Sequence, residues 1–413
     1  MDEFSVPFME KGHTEGLTTD STIGQQIRRF RGKALTQKQL AEQADVSLDL
    51  IKKLERGARQ GASIASLQKI ARALDVDIAD LVGKRYGIPS EDPDAGIVAI
   101  RRALTAVDDL IDDSPEQTPV TLREAQRSVD YAWGAYWGGR YETLAAVLPP
   151  GLSQLRATAH AAQNGDVPTA HELLARMYWV TGCTLVHLGQ ADPAFVAIRS
   201  ALLAAERGND PLLAATLRGS VSWQLLVQGR YEEAHKVALK AAASVEPPGD
   251  ASTAELAVYG SLILQGATAA GREQNPGRAL DLARAANEVA GRLGVDTKDY
   301  ECNFGPSQVV MQTVDINVSS EQYSEALKAA KAMPNQGAGL TQVSQARHLL
   351  DRAAALTRVG QPQKALDLLL TAERVGGPEW TNYQTLLKQV VSELLEKERP
   401  TALRGLAQRV GVR

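Results

Sequence analysis

The sequence predicts an all-α protein in which a small N-terminal helical domain precedes a long superhelix of helical repeats. Three observations predict this fold class. Aromatic residues make up only 5% of the chain while Ala and Leu are abundant, which favours helices. Two short helices with strong capping signals lie near the N-terminus, and one turn motif recurs from about residue 121 onward.

Composition and punctuation divide the chain into a flexible tail (1–20), a basic domain (21–85), a Pro/Gly-containing linker (86–93) and a repeat domain (94–413). The tail lacks the apolar core of a signal peptide, and no apolar run approaches the length of a membrane span. The two cysteines have no metal-ligand spacing. We therefore expect a cytoplasmic protein without membrane contact.

The stretch from Leu35 to Gly57 carries the strongest local signals. Thr36 and Gln39 have the spacing of a capping box, Ser47 can cap a second helix, and Gly57 can end it. Two short helices joined by a tight turn form a helix-turn-helix, and the second helix has the right size for the DNA major groove.

Further helices complete a predicted five-helix domain. Residues 22–85 are basic although the whole chain has a net charge of −4, so the remainder is acidic. This asymmetry is expected of a DNA-binding protein whose larger domain does not touch DNA. The predicted helices are Ile23–Arg31, with Ile23, Ile27 and Phe30 on its apolar side, then 63–74 and 77–82, the last begun by Asp77.

The basic domain resembles the phage-repressor-like, or XRE, family of DNA-binding domains. The resemblance implies that Arg31 pairs internally with Glu55. Asp45 and Ala34 stand where the family often has glycine, and of the two only Asp tolerates a left-handed conformation moderately well. A bundle retained only for dimerisation is the alternative. The matching residues are Leu35, Thr36, Gln37, Leu40, Ala41, Val46, Ser47, Ile51, Leu54, Glu55 and Gly57, followed by matches within 66–81.

Outward residues near the start of the second helix are expected to meet base edges. Lys53 can donate to guanine and Asp49 can accept from cytosine, while Leu48 can touch a thymine methyl or equally cap the small core. Gln37, Arg56 and Arg59 are better placed for phosphates, which position the domain without reading sequence. The predicted DNA-binding residues are Gln37, Ser47, Leu48, Asp49, Lys52, Lys53, Arg56 and Arg59.

A turn motif recurs six times in the repeat domain, and each unit is predicted to be a helix pair that stacks on its neighbours. Helices over 97–111, Trp380–Arg399 and 401–410 are predicted to flank or close the array. The residue types resemble tetratricopeptide repeats, although the units are longer than the usual period of about 34. Aligning Leu144, Phe195, Ala234, Ala279, Ala326 and Ala365 gives intervals of 51, 39, 45, 47 and 39 residues.

The whole combination resembles actinobacterial XRE regulators with long helical-repeat regions, through YAWGAYWGGRYETLAAVLP and ALRGLAQRVGV. It also resembles the peptide-sensing regulators of Gram-positive bacteria. These resemblances imply a transcriptional regulator that binds an operator in double-stranded DNA as a homodimer and senses a peptide or small-molecule effector, as in quorum sensing. The alternative is a helical-repeat adaptor that binds a protein partner, with DNA binding secondary.

A concave helical array offers a groove in which aromatic and amide side chains could bind the effector. Trp133, Tyr136 and Trp137 share one helical face and are expected in the core, while His187 and His235, near turns, are expected to be solvated. No nucleotide-binding, zinc-protease or hydrolase motif occurs, so we expect no catalytic residue, metal or cofactor. The candidate effector-binding residues are Trp179, Trp223, Gln312, Asn317, Arg347 and Asn382.

Overall fold

The regular structure of the chain is helical. In the part of the chain that the structure describes, one isolated antiparallel bridge, between Thr297 and Phe304, is the exception. This confirms the predicted all-α class. No helix among the described residues is long and apolar enough to cross a membrane. The computed structural model describes residues 22–32, 35–59, 62, 64–74, 76, 81, 95–106, 117–382, 384–397 and 400–412; the predicted tail, the linker, Ala34 and Asp77 lie outside them.

The N-terminal domain packs its helices around a small apolar core that includes Ile27, Ile51 and Leu54. Phe30 differs from the prediction, since it is 37% exposed beside Arg29. The fifth predicted helix is described only at Leu81, which is helical and buried. The described helices of this domain are α1 (Ile23–Arg31), α2 (Gln37–Gln43), α3 (Leu48–Glu55) and α4 (Ile64–Ala73).

The capping signals of the helix-turn-helix are confirmed. Thr36 and Gln39 form the capping box, and the Ser47 hydroxyl accepts a hydrogen bond of 3.1 Å from the Leu50 amide. Asp45 in the turn has a φ of +47°, and Gly57 leaves α3 with a φ of +70°. The turn thus takes the left-handed conformation that an aspartate can adopt.

The repeat domain begins with α5 (Ala95–Leu104), whose Ile97, Ile100 and Leu104 are buried in the main core of that domain. Helix pairs follow, each a first helix and an antiparallel second helix. The pairs are α6 (Leu122–Trp137) with α7 (Tyr141–Ala161), α8 (Asp166–His187) with α9 (Ala191–Ala205), α10 (Pro211–Val227) with α11 (Tyr231–Ala243), α12 (Thr253–Arg272) with α13 (Pro276–Leu293), α14 (Pro306–Ser319) with α15 (Tyr323–Ala329), and α16 (Gln342–Arg358) with α17 (Pro362–Asn382).

Two helices close the array, α18 (Thr385–Lys397) and α19 (Thr401–Arg409). The sequence prediction therefore placed the start of the last long helix too early, at Trp380 instead of Thr385. Trp380 belongs to the end of α17, beyond a kink at Gly377 where φ is +77° and ψ is +170°.

Every helix pair turns in the same way. A residue with positive φ ends the first helix, and the amide of the next residue donates to the carbonyl five positions back, as in a Schellman motif. The Arg140 amide, for example, lies 3.0 Å from the Ala135 oxygen, and the Gln322 amide 2.8 Å from the Asn317 oxygen. The turn residues are Gly139, Gly189, Gly229, Gln274, Glu321 and Gly360.

This common geometry corrects the sequence alignment at one repeat. Ala194, not Phe195, stands five residues after its turn residue, as Leu144 does after Gly139. Ala194 is fully buried, whereas Phe195 is 37% exposed. Alanine stands at this position in five of the six helix pairs and Leu144 in the other, and all six side chains are fully buried.

The segment between α13 and α14 is anchored at both ends. The Asp296 carboxylate accepts hydrogen bonds from the Ser307 amide and hydroxyl at 2.9 and 2.7 Å. Phe304 is 1% exposed and lies in a notch left by the missing side chain of Gly260 on α12. The segment is thus fixed to both α12 and α14.

We predict that Gly260→Ala lowers the free energy of unfolding by about 1–3 kcal/mol. An added Cβ would lie 2.0 Å from Cζ of Phe304, so this ring, which is 1% exposed, would have to shift within the packed core. Gly291→Ala is the matched control, because Gly291 is exposed on α13 and nothing lies within 4 Å of its Cβ position. It should be neutral or stabilising by about 0.5–1 kcal/mol. Urea unfolding of both variants measures the difference, and equal effects would contradict it.

Candidate functional site

The outer face of α3 presents the side chains predicted to read DNA. Asp49, Lys52, Lys53 and Arg56 are all exposed. Nζ of Lys53 lies 2.7 Å from a carboxylate oxygen of Asp49, with the two side chains 50% and 65% exposed. A solvent-exposed pair of this kind stabilises little, so both groups are available to bases.

The other predicted contacts have local roles as well. Leu48 is half-buried and packs against the core of the domain, and Arg59 is half-buried just beyond α3. The Ser47 hydroxyl is engaged as the N-cap of α3. Contacts of these residues with DNA remain predictions.

Glu55 holds α3 against two other helices. Nε and Nη2 of Arg31 on α1 donate to its two oxygens at 2.7 and 2.9 Å, and Nε2 of Gln37 on α2 donates at 2.8 Å. Burial alone would raise the pKa of Glu55, but these hydrogen bonds outweigh it and the pKa lies below its usual value. The pair of Arg31 with Glu55 is thus confirmed, and Gln37, predicted to contact phosphate, is half-buried against Glu55.

In the repeat domain, the first helices of all six pairs line a cavity of about 350 Å³. The ring centroid of Trp133 lies 4.8 Å from that of Trp179 and 5.9 Å from that of Trp137. All five tryptophans of the chain line this cavity, and they are Trp133, Trp137, Trp179, Trp223 and Trp380.

The candidate effector residues divide into two groups. Trp179, Trp223, Gln312 and Arg347 line the cavity. Asn317 and Asn382 do not line it, which corrects their assignment. Asn317 is buried on another face of α14 and donates to the Thr313 carbonyl at 2.8 Å, while Asn382 is exposed at the end of α17.

The three residues assigned to the core have two roles. Trp133 and Tyr136 are 3% and 7% exposed and belong to the main apolar cluster, and Trp137 packs against it. All three also line the cavity. Helical spacing correctly identified their buried face but could not show that this face borders an open space.

The prediction that His187 and His235 are solvated is wrong. Nε2 of His187 lies 3.1 Å from the Tyr136 hydroxyl in the cavity wall, and burial lowers the pKa of this histidine to about 4. His235 is 3% exposed, and its Nδ1 lies 3.0 Å from the Gly266 carbonyl oxygen, to which it donates. Both histidines are near turns in sequence, but neighbouring helices cover them.

Glu301 introduces a carboxylate into this aromatic wall. Nε1 of Trp137 donates to it at 3.2 Å, and burial raises the pKa of Glu301 above its usual value. Tyr300 and Glu301 both have positive φ, of 52° and 55°, a conformation that costs about 1–3 kcal/mol for each residue. Strain of this kind is found most often at binding sites.

A charge network with buried carboxylates adjoins the cavity and links three successive first helices. Arg272 on α12 and Arg347 on α16 both bind Asp315 on α14, at 2.7 and 2.9 Å. Arg347 also binds Asp351 at 2.9 Å. Two cations therefore face two carboxylates, and the network is balanced in charge.

The turn residue is the sequence signal that reveals the cavity. When residues are numbered backwards from the turn residue of each pair, the same positions of successive first helices line the cavity. Glu301, by contrast, lies in a non-repetitive segment that no periodicity identifies. One position holds Trp133, Cys183 and Trp223; a second holds Trp137 and His187; a third holds Trp179, Gly219, Leu264 and Met311; a fourth holds Thr216, Ser261, Gln308 and Arg347.

Comparisons with known proteins identify the N-terminal domain. Residues 27–81 match the family model described as helix-turn-helix, which confirms the predicted XRE-type domain in this part of the chain. No curated protein matches the sequence.

Three solved structures resemble parts of the fold. BtubC (BKLC) from P. vanneervenii is 16% identical, with 57% of this chain and 90% of that chain covered and a TM-score of 0.39. PlcR from Bacillus thuringiensis, solved in complex with the peptide PapR7 and DNA, is 14% identical, with 75% and 92% covered and a TM-score of 0.38. Pseudomonas aeruginosa pilF is 18% identical, with 64% and 98% covered and a TM-score of 0.33.

We predict unequal effects for the two buried aspartates. Asp315→Asn leaves two arginines without their shared carboxylate and should cost about 3–5 kcal/mol of stability. Asp351→Asn should cost less, because burial raises the pKa of Asp351 to about 6 and makes its neutral form accessible. Urea unfolding at pH 7 compares the two, and equal losses would contradict the prediction.

We also predict that the stability difference between the wild type and Asp351→Asn depends on pH. The pKa of Asp351 in the folded state lies above its ordinary value of 3.8. Protonation of Asp351 therefore stabilises the folded state. This stabilisation is fully present below a pH of about 4 and is lost as the pH rises through 6. From pH 7 to pH 5 the wild type should therefore gain stability relative to Asp351→Asn. A difference that does not change with pH would show that Asp351 titrates normally.

Proposed function

We propose that the chain is a sequence-specific DNA-binding transcriptional regulator of the cytoplasm. The observation that carries this proposal is the exposed face of α3, with Lys52, Lys53 and Arg56, in a domain that matches the helix-turn-helix family. On a docked α3, Lys53 donates to guanine and Asp49 accepts from cytosine, replacing their mutual contact.

One such domain covers only a half-site, so useful specificity requires two of them spaced by one helical turn of DNA. We therefore propose a homodimer, with the dimer surface in residues 94–413. Ile27, Leu40 and Ile51 of the N-terminal domain are buried in its core, and Phe30 is partly exposed. This leaves the larger domain as the better source of an apolar interface.

The repeat domain is proposed to sense a small-molecule or peptide effector in the tryptophan-lined cavity. The cavity volume of about 350 Å³ lies at the low end of the range for small-molecule sites, roughly 300–1,000 Å³. A protein-binding adaptor would use a broader and flatter surface, of about 800 Å² on each partner. A concave, tryptophan-lined cavity of this volume thus favours a sensor over the adaptor alternative.

We predict that Lys53→Ala changes the preferred DNA sequence, because a base contact worth about 1–3 kcal/mol is lost. Arg56→Ala should weaken all sequences alike and reduce the slope of log affinity against log salt by about one. Selection from a random DNA pool, followed by salt titration on the selected site, measures both effects.

Lys236→Ala provides a charge-matched control, since Lys236 is exposed on α11 and its Nζ lies 2.7 Å from the carboxylate of Glu232. Its preferred site and salt slope should equal those of the wild type. An unchanged site ranking for Lys53→Ala would contradict the base contact, and absence of any salt-dependent DNA binding by the wild type would contradict the proposed function.

A further inference from the structure

The five tryptophans of the chain surround one space. They come from α6, α8, α10 and α17, so four separate helices bring indole rings to the same cavity. A hydrophobic core can be filled without gathering all tryptophans at one place. In this protein the indole rings border about 350 Å³ of open volume. The faces of aromatic rings carry partial negative charge and attract cations.

Polar atoms in the same wall have no hydrogen-bond partner within the described part of the chain. Nε1 of Trp133 is one of them, on a side chain only 3% exposed. Oδ1 of Asn303 and Oε1 of Gln308 are shielded from solvent and accept no hydrogen bond from a described residue. Buried polar groups are normally paired, so these atoms lack the partners that such groups usually have. The two oxygens call for N–H or O–H donors.

Glu301 contributes a negative charge to the cavity wall. This carboxylate receives a hydrogen bond from Trp137 but forms no ion pair with a described residue. Arg176 and Lys298 act on it only through longer-range attraction. Arg347, the cation that lines the cavity, is already bound to Asp315 and Asp351. Asn303 and Gln308 lie close to Glu301 in the chain and also line the cavity.

We infer that the cavity binds a compact organic cation with N–H donors, such as an alkylammonium. Its ammonium group faces Glu301, and its apolar body packs along the tryptophans. The volume fits a small molecule rather than an extended peptide. This inference names the chemical class of the effector of the proposed sensor. Binding of the cation does not depend on the proposed function, but its role as an effector rests on that function.

The tryptophans themselves report on binding, because every indole in the protein lines the cavity. The full-length protein is titrated with n-hexylammonium, 1-hexanol and hexanoate, which share a chain length and differ in charge. We expect a saturable fluorescence change with n-hexylammonium at roughly tenfold lower concentration than with 1-hexanol, and a weaker response still to hexanoate. Equal responses to the three probes, a preference for hexanoate, or no response to any of them would overturn the inference.

Glu301→Gln removes the charge but keeps an oxygen that can accept from Trp137. Affinity for n-hexylammonium should fall roughly tenfold, while the response to 1-hexanol stays as in the wild type. Glu288→Gln, at an exposed position on α13, is the matched control and should bind like the wild type. Unchanged n-hexylammonium affinity in folded Glu301→Gln, checked by circular dichroism, would overturn the role of Glu301.

The comparison of the three probes uses the wild type alone, so it decides the charge preference even if the variant does not fold. None of these measurements contains DNA. Binding of n-hexylammonium without any DNA binding would contradict the proposed regulator function but support the inferred cation site. DNA binding without a charge preference in the cavity would support the regulator function but contradict the cation site.

Discussion

The left-handed residue at each inter-helix turn is the constraint on which the repeat domain depends. It ends the first helix and directs the next amide to the carbonyl five positions back, so the second helix starts at a fixed rotation. Because all six turns share this geometry, the same positions of each first helix face inward. The cavity is therefore a consequence of repeated local backbone structure rather than of any single long-range contact.

Local signals in the sequence were sufficient where the structure itself is local. The capping box at Thr36, the left-handed Asp45 and the terminating Gly57 each depend on a few neighbouring residues. The repeats were also recognisable, but their alignment failed at Phe195. Four turns use glycine, whereas Gln274 and Glu321 adopt the same conformation without it, so glycine alone does not mark the register.

The cavity was predictable only in part, and for a physical reason. A residue that packs against a neighbouring helix and one that borders a hole occupy the same inward stripe, so spacing assigned Trp133 to the core and missed its second role. The same ambiguity made Asn317 look available, although its amide bonds back to its own helix. Glu301 reaches the cavity through a strained loop, whose path is set by contacts distant in sequence.

The loop that carries Glu301 also joins the cavity to the charge network. Phe304 fixes the loop to α12 at Gly260, and Ser307 fixes it to the start of α14 through Asp296. Eight residues further along α14 stands Asp315, the carboxylate shared by Arg272 and Arg347.

A ligand that pulls on Glu301 would therefore act first on this loop, and through it on the helix that holds three repeats together. Each repeat touches only its neighbours, so small rotations at this point add up along the array. The size of the resulting change is limited to the difference in ligand affinity between the two shapes, typically about 1–3 kcal/mol. In the dimeric regulator that we propose, a change of that size can alter the spacing of the two DNA-binding domains. We therefore propose that sensing begins in the strained, non-helical part of the wall.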